Sequence, residues 1–328
     1  MNSKEDGPDQ GIVAMTKTAL EVPEPVRRRA LAEGQAGEAW LAGLAGAVGD
    51  LAIEWDLSIG RTLSGGTEAF VAEVTRADGR EAVLKLRLPE RDGAADELRT
   101  LLAVRGHGYA DIYRHDQAQG ALLLERLGPK LSELGLPVDT QIEIICTTLR
   151  AAWAPRTEGA GLTTGAAKAR SLGDFIETTW LELGRPCPER IIEVALRYAE
   201  ARRRDFDPDS AVLAHGDAHA WNTLLVPGAG SGRFKLVDPD GLLIERAYDL
   251  GILMREWTSE LMAGDPMTLG RRRCRLLSER AGVDAEPIWQ WGFIERTSTA
   301  LLCMKIGWEE GARDMLAVAD AWARGLGR

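Results

Sequence analysis

The 328-residue chain is poor in the features that tie a protein to metal, to nucleic acid or to a bilayer. Cysteine is scarce: Cys146, Cys187, Cys274 and Cys303 are scattered, with no CxxC pair and no Cys/His cluster. That spacing supports neither a zinc site nor a disulfide framework, and reduced, half-buried thiols in a cytoplasmic protein are the expectation. Basic residues are outnumbered, 40 Lys and Arg against 50 Asp and Glu, giving a net charge of -10. The sign argues against a nucleic-acid partner and allows attraction of a cationic ligand. No apolar run reaches the about 20 residues that span a bilayer; the best stretch, 40–49, runs straight into Asp50. The opening MNSKEDGPDQ is polar and acidic, not the basic-then-apolar start of a leader. No membrane contact and a cytoplasmic location are therefore expected, with residues 1–34 a disordered or loosely held segment. No internal repeat is visible, and no protein partner is implied.

What is present is globular material in an informative order. Residues 35–55 carry Trp40, Leu44 and Val48 at helical spacing, with Leu41 beside them. The period then changes from helical to alternating. Segments 56–63, 68–76 and 80–88 read as strands, with Phe70, Ala72 and Val74 alternating against polar positions. Asp78-Gly79 turns the second strand onto the third. A helix over 94–105 points Leu98, Leu101 and Leu102 inward and stops at Gly106 and Gly108. Strands at 112–116 and 121–127 follow. Beyond Gly128 the pattern turns helical, at 140–153, 171–183 and 189–205, with a strand at 233–237 and two or three helices to the end. The order predicts two lobes of an α/β (α+β) fold: a small one over 35–128 on an antiparallel sheet, and a helical one over 129–328.

Chemistry concentrates in His215-Gly216-Asp217-Ala218-His219-Ala220-Trp221-Asn222, which follows an apolar, strand-like stretch. Asp238 comes later, just past the strand at 233–237. Phosphoryl transfer needs oxygen ligands for a divalent cation and a group that orients the attacking hydroxyl and receives its proton. Asn222 and Asp238 suit the first need, Asp217 the second. Each of these alone is an ordinary polar turn; together they form a set. Histidines four apart would bind a metal on a helix, which Gly216 and the preceding strand oppose. Lys85, inside the apolar strand Ala82 to Leu86, is costly unless paired. Ser64-Gly65-Gly66-Thr67, just upstream, is a hairpin turn by itself; beside the Lys85 strand it becomes a candidate phosphate-covering loop.

The set resembles the catalytic loop and metal-binding segment of protein kinases, in the HGDxHxxN form of aminoglycoside phosphotransferases. The resemblance is closest to the aminoglycoside/hydroxyurea phosphotransferases, the group that includes streptomycin 6-phosphotransferase. It runs through 37–44, 76–86, Leu122 to Leu127 (LLLERL), 215–224, Asp238 to Leu242, 245–249 and 308–311. Least matched is 130–206, where acceptor specificity would lie. The resemblance implies a two-lobe protein-kinase-like fold using ATP and Mg2+ to phosphorylate a hydroxyl of a small, cationic, aminoglycoside-like antibiotic. It implies that Asp217 serves the acceptor hydroxyl and that Asn222 and Asp238 hold magnesium. Lys85 would contact the phosphates and pair with Glu97, with Asp96 the runner-up. The backbone at Glu125 and Leu127 would meet adenine, Asp249 would prop the catalytic loop, and His215 and His219 would brace it. The stretch from Asp238 to Asp249 is too short for an activation segment, so a protein substrate is not expected. Glu256, Glu260, Glu295, Glu309, Glu310 and Asp314 are candidates for a cationic pocket, and Trp257, Trp289 and Trp308 for ring stacking. For each of them, helix surface or core is the plainer reading. The runs 202–204 and 271–273, all arginine, read as solvated helix faces. A kinase for a sugar or amino-alcohol, and a silent nucleotide-binding module, are the alternatives.

Overall fold

The computed structural model describes residues 20–89, 94–155, 161–228 and 232–326. The first lobe runs α1 (Glu24–Ala32), α2 (Gln35–Trp55), β1 (Leu57–Thr62), β2 (Ala69–Arg76), β3 (Glu81–Arg87), α3 (Ala94–Val104), β4 (Ile112–Asp116) and β5 (Ala121–Glu125). Its strands form one antiparallel sheet in the order β1-β2-β3-β5-β4. Alternation decides what each face carries. Ala82, Leu84 and Leu86 of β3 pack, with Phe70, Ala72 and Val74 of β2, against Leu44, Val48, Leu51 and Trp55 of α2. The intervening Val83, Lys85 and Arg87 therefore face the opposite side.

The expectation of a loose first segment fails over 24–32. There α1 forms, and its Val26 and Ala30 are buried. The apolar side of a short, arginine-rich helix is narrow, which is why composition hid it. Residues 1–19 lie outside the described residues.

The second lobe opens with a 3-10 turn at Leu131–Glu133. It continues through α4 (Val138–Ala152), β6 (Ala154–Pro155), β7 (Thr163–Thr164), α5 (Gly165–Glu182), α6 (Glu189–Arg204), β8 (Val212–Ala214), β9 (Thr223–Leu225), β10 (Phe234–Leu236) and β11 (Leu242–Ile244). It closes with α7 (Ala247–Arg255), α8 (Thr258–Met262), α9 (Pro266–Ala281), α10 (Ala285–Lys305) and α11 (Glu309–Gly325). The run α7 to α11 replaces the two or three helices expected. Punctuation explains it: Trp257 takes a left-handed φ of 48°, Asp265 caps α9 through Thr268 N, and Gly282 ends α9. Helix α5 starts before residue 171 because the Thr164 hydroxyl accepts from Ala167 N at 3.3 Å.

Two arginines leave the solvated role assigned to their runs. Arg202 is buried and pairs with Glu245 and Asp205; Arg273 is buried and pairs with Glu260. The main core gathers α4 to α7, α9 and α10 and extends up to Leu98, Leu101, Leu122 and Leu124, so it crosses the boundary near Gly128. A strap reinforces the junction. Ala110 N donates to Leu236 O at 2.9 Å, Leu236 N to Gly108 O at 2.8 Å, and Lys235 reaches Asp111 and Glu125 at 3.0 and 2.6 Å. All four cysteines are free and buried. Among the described residues no helix is long and apolar enough to cross a membrane.

Candidate active site

Strands β8 and β11 pair antiparallel, as do β9 and β10, and the loops leaving them form the floor between the lobes. Asp249, fully buried on α7, accepts from His215 N at 3.1 Å, Gly216 N at 2.8 Å and Trp153 Nε1 at 2.8 Å. Three donors on one carboxylate fix the start of the loop. Gly216 has φ +92°, and a Cβ there would lie 2.7 Å from the Asp240 Cβ, so only glycine fits. His215 uses both ring nitrogens: Nε2 to Val237 O at 2.8 Å, and Nδ1 accepting from Asp217 N at 3.0 Å. It also stacks on Tyr109. A ring so committed has no nitrogen left for a metal.

The Asp217 carboxylate is held on both oxygens. Arg255 Nη2 donates to Oδ1 at 2.5 Å, and His219 Nε2 to Oδ2 at 3.1 Å. Burial pushes this carboxyl up, but the His219 hydrogen bond and the Arg255 charge outweigh it and hold it well below the usual carboxylate range. Burial likewise depresses His219, and its bond to Asp217 reverses that, raising it. Asn222 Nδ2 donates to Asp217 O at 3.1 Å, which leaves the amide oxygen for a ligand. Asn222 O accepts from Val237 N at 3.0 Å, joining the ends of β9 and β10.

Asp238 follows with a left-handed φ of 56° and a side chain 52% exposed to the cleft. Lys85 Nζ lies 2.8 Å from its Oδ1 and 2.7 Å from Glu97 Oε1. Burial favours neutral groups here. The charges of Asp238 and Glu97 nevertheless raise Lys85, and Lys85 in turn lowers Asp238. Arg87 Nη1 also meets Glu97, at 2.6 Å. The sequence reading missed Arg87, although its alternate position on β3 puts it on the Lys85 face.

Ser64, Gly65, Gly66 and Thr67 link β1 to β2 over the cleft mouth. A Cβ on Gly65 would meet the Lys130 ammonium, which itself sits 5.2 Å from the Trp221 ring. Glu125 N donates to Asp111 O, and the Glu125 carboxylate takes Asp111 N and Lys235. Any backbone contact of Glu125 with a ligand therefore falls to its carbonyl. Leu127 is buried beside it.

One cleft of about 630 Å³ is lined by all of these: Lys85, Glu97, the 64–67 loop, Glu125, Leu127, Asp217, Asn222 and Asp238. Asp240 also lines it, raised by burial and by the Asp217 charge. None of the nine candidate acceptor acids and tryptophans does. Glu295 is buried between Tyr248 and Arg255, Glu256 pairs with Arg255, and Glu260 with Arg273. Glu309 pairs with Arg313, and Trp289 packs on Trp322 within the core. Arg255, absent from the sequence reading, is the group that ties two of these acids to Asp217.

The set offers a cation, oxygen ligands and an ionised carboxylate on one cleft, the groups needed to grip a nucleotide and orient a hydroxyl. Residues 54–307 match the family described as aminoglycoside/hydroxyurea antibiotic resistance kinase. Streptomycin 6-kinase of Streptomyces glaucescens is 28% identical over 317 residues, spanning 94% of this chain and 98% of that protein. Hydroxyurea phosphotransferase of Kitasatospora aureofaciens is 31% identical over 255 residues, covering 74% of this chain and 72% of that protein. Among solved structures, aminoglycoside phosphotransferase APH(4)-Ia matches with a TM-score of 0.55 at 15% identity, over 86% of this chain and 98% of that one. That last likeness is one of fold: a two-lobe, protein-kinase-like architecture. With a match spanning the sheet, the cleft and α10, the chain belongs to the aminoglycoside/hydroxyurea antibiotic resistance kinase family.

Proposed function

We propose that the chain is a cytoplasmic kinase that transfers the γ-phosphoryl group of ATP, with Mg2+, to a hydroxyl of an aminoglycoside-like antibiotic, with streptomycin the first acceptor to test. The observation that carries it is the convergence of Lys85, Asp217, Asn222 and Asp238, distant in sequence, on one cleft.

The donor set fits a magnesium nucleotide. The Asn222 amide oxygen and the Asp238 carboxylate are oxygen ligands at adjacent strand ends, and magnesium takes one or two such groups and completes its shell with phosphates and water. Bound magnesium nucleotide supplies the phosphoryl group and offsets its charge. Lys85, fixed by Glu97, presents an ammonium to the phosphates. The 64–67 loop covers them with backbone N–H groups. The Glu125 carbonyl and the Leu127 backbone face the adenine. Asp217, kept ionised, accepts a hydrogen bond from the acceptor hydroxyl, aims it and takes its proton as the bond forms.

Mass spectrometry of streptomycin after incubation with enzyme, ATP and magnesium tests the reading. Gain of one phosphoryl group is expected. No product from streptomycin, with turnover of a sugar or amino-alcohol in a parallel panel, would replace the acceptor while leaving the chemistry.

A further inference from the structure

Arg255 is the last residue of α7. The chain beyond it is extended at Glu256 and left-handed at Trp257. Its guanidinium uses each nitrogen on a different carboxylate: Nη2 on Asp217 Oδ1 at 2.5 Å, Nη1 on Glu295 Oε2 at 3.2 Å, and Nε on Glu256 Oε1 at 3.2 Å. Glu295, on α10, is itself fixed, because its other oxygen accepts from Tyr248 OH at 2.5 Å. The backbone is held too. Arg296, buried in α10, donates to Met254 O at 2.7 Å and to Arg255 O at 3.0 Å, capping the C-terminal end of α7 with a cation. Arg255 does not line the cleft. It bonds an Asp217 that does line the cleft, from outside that lining.

We propose that Arg255, braced by Glu295 and Glu256, is a positioning residue that sets the carboxylate plane of Asp217 for the acceptor hydroxyl. This rests on the assignment of Asp217 above. A planar fork held at three points fixes direction in a way a point charge cannot. His219 secures the second oxygen from inside the loop, whereas Arg255 brings the rigidity of the α7–α10 pair to the first. The remaining lone pairs of the carboxylate then project into the cleft in one orientation. Displacement of a reacting group by about 1 Å costs on the order of 10²-fold in rate, and that is the penalty expected without this brace.

The test compares wild type with Arg255→Ala, Arg255→Lys and Glu295→Gln, using streptomycin as the acceptor. For Arg255→Ala, kcat should fall about 10²-fold while KM for ATP and the dissociation constant for the nucleotide stay within about twofold. Arg255→Lys should recover part of the loss, and Glu295→Gln should fall between it and wild type. Added guanidinium ion, at concentrations far below denaturing, should restore turnover to Arg255→Ala and leave wild type unaffected. A merely structural residue would lose nucleotide affinity along with kcat and show no rescue; that result, or an unchanged kcat, overturns the proposal. If Arg255→Ala fails to fold, the lysine and Glu295→Gln variants carry the comparison. If wild type leaves streptomycin untouched, the acceptor assignment falls alone. The variants are then ranked by ATP turnover with water as acceptor, which draws on the same aspartate.

Discussion

On the wall of the cleft proposed to hold the nucleotide, Lys85, Arg87 and Glu97 come from one strand and the helix that follows it, and Lys85 meets Glu97 across twelve residues. On the wall proposed to face the acceptor, Asp217 is met by an arginine 38 residues away, itself anchored by a glutamate 40 residues further on. Apart from Asp238, 153 residues from Lys85, the first wall is local, and on the proposed reading Lys85 would leave Asp238 for phosphate while Asp238 would leave Lys85 for the cation. Behind Asp217, the acids Glu256, Glu295 and Glu260 lie outside the cleft lining and are already matched by Arg255 and Arg273, so their charge is spent on these arginines rather than presented to the cleft. The difference is between carboxylates that line the cleft, such as Asp238, and carboxylates outside its lining, such as Glu295, that hold an arginine against Asp217.

The largest expected effect separates the walls outright. Asp217→Ala should lower kcat by ~10²–10⁴-fold, the range for a residue that receives a proton, while calorimetry finds nucleotide affinity unchanged. Equal loss of both would erase the distinction. Next is Lys85→Met, which should raise KM for ATP and also destabilise the fold by about 1–3 kcal/mol, because Glu97 loses one of two partners in a buried site. Denaturant unfolding reads the second effect, and an unshifted midpoint would mean that Arg87 alone satisfies Glu97.

Gly216→Ala should cost about 1–3 kcal/mol of loop strain, lowering turnover and the thermal midpoint together. Wild-type behaviour of that variant would contradict the tight Gly216–Asp240 approach. The smallest effect is a pH dependence. His219 is raised in the folded protein above its ordinary 6.5, so the folded state holds that proton more tightly. The stabilisation is complete below about pH 6.5 and fades as pH rises through the raised value. Asp217, held low, stays ionised throughout that window. The thermal midpoint of wild type should therefore exceed that of His219→Gln by more at about pH 6 than at about pH 9. A gap that widens with pH would reverse the sign.

Legibility in the sequence follows the same division. The sheet could be read because β2 and β3 alternate, and α2 because Trp40, Leu44 and Val48 repeat at helical spacing; the latter spans residues 35–55 as expected. The gathering of Lys85, Asp217, Asn222 and Asp238 on one cleft is what the family resemblance carried by those motifs implies. Strands of two or three residues, such as β7 and β11, carry no period to detect. The arginine runs misled because charge was read without phase. Arg202 continues the buried stripe of Ile191, Ala195 and Tyr198, and Arg273 sits beside buried Gly270 and Leu277. Helical phase would have found both. Arg255 had no such signal. Its distant partners, Asp217 and Glu295, are brought to it by how α7 packs against the 215–222 loop and α10.

A crystal structure with a non-hydrolysable ATP analogue and magnesium measures the central claim most directly. The account predicts one ion touching the Asn222 and Asp238 oxygens, Lys85 turned to the phosphates, and Asp217 opposite the terminal phosphoryl group with Arg255 still on its Oδ1. A nucleotide seated outside this cleft, or an ion that leaves Asn222 and Asp238 untouched, would contradict it.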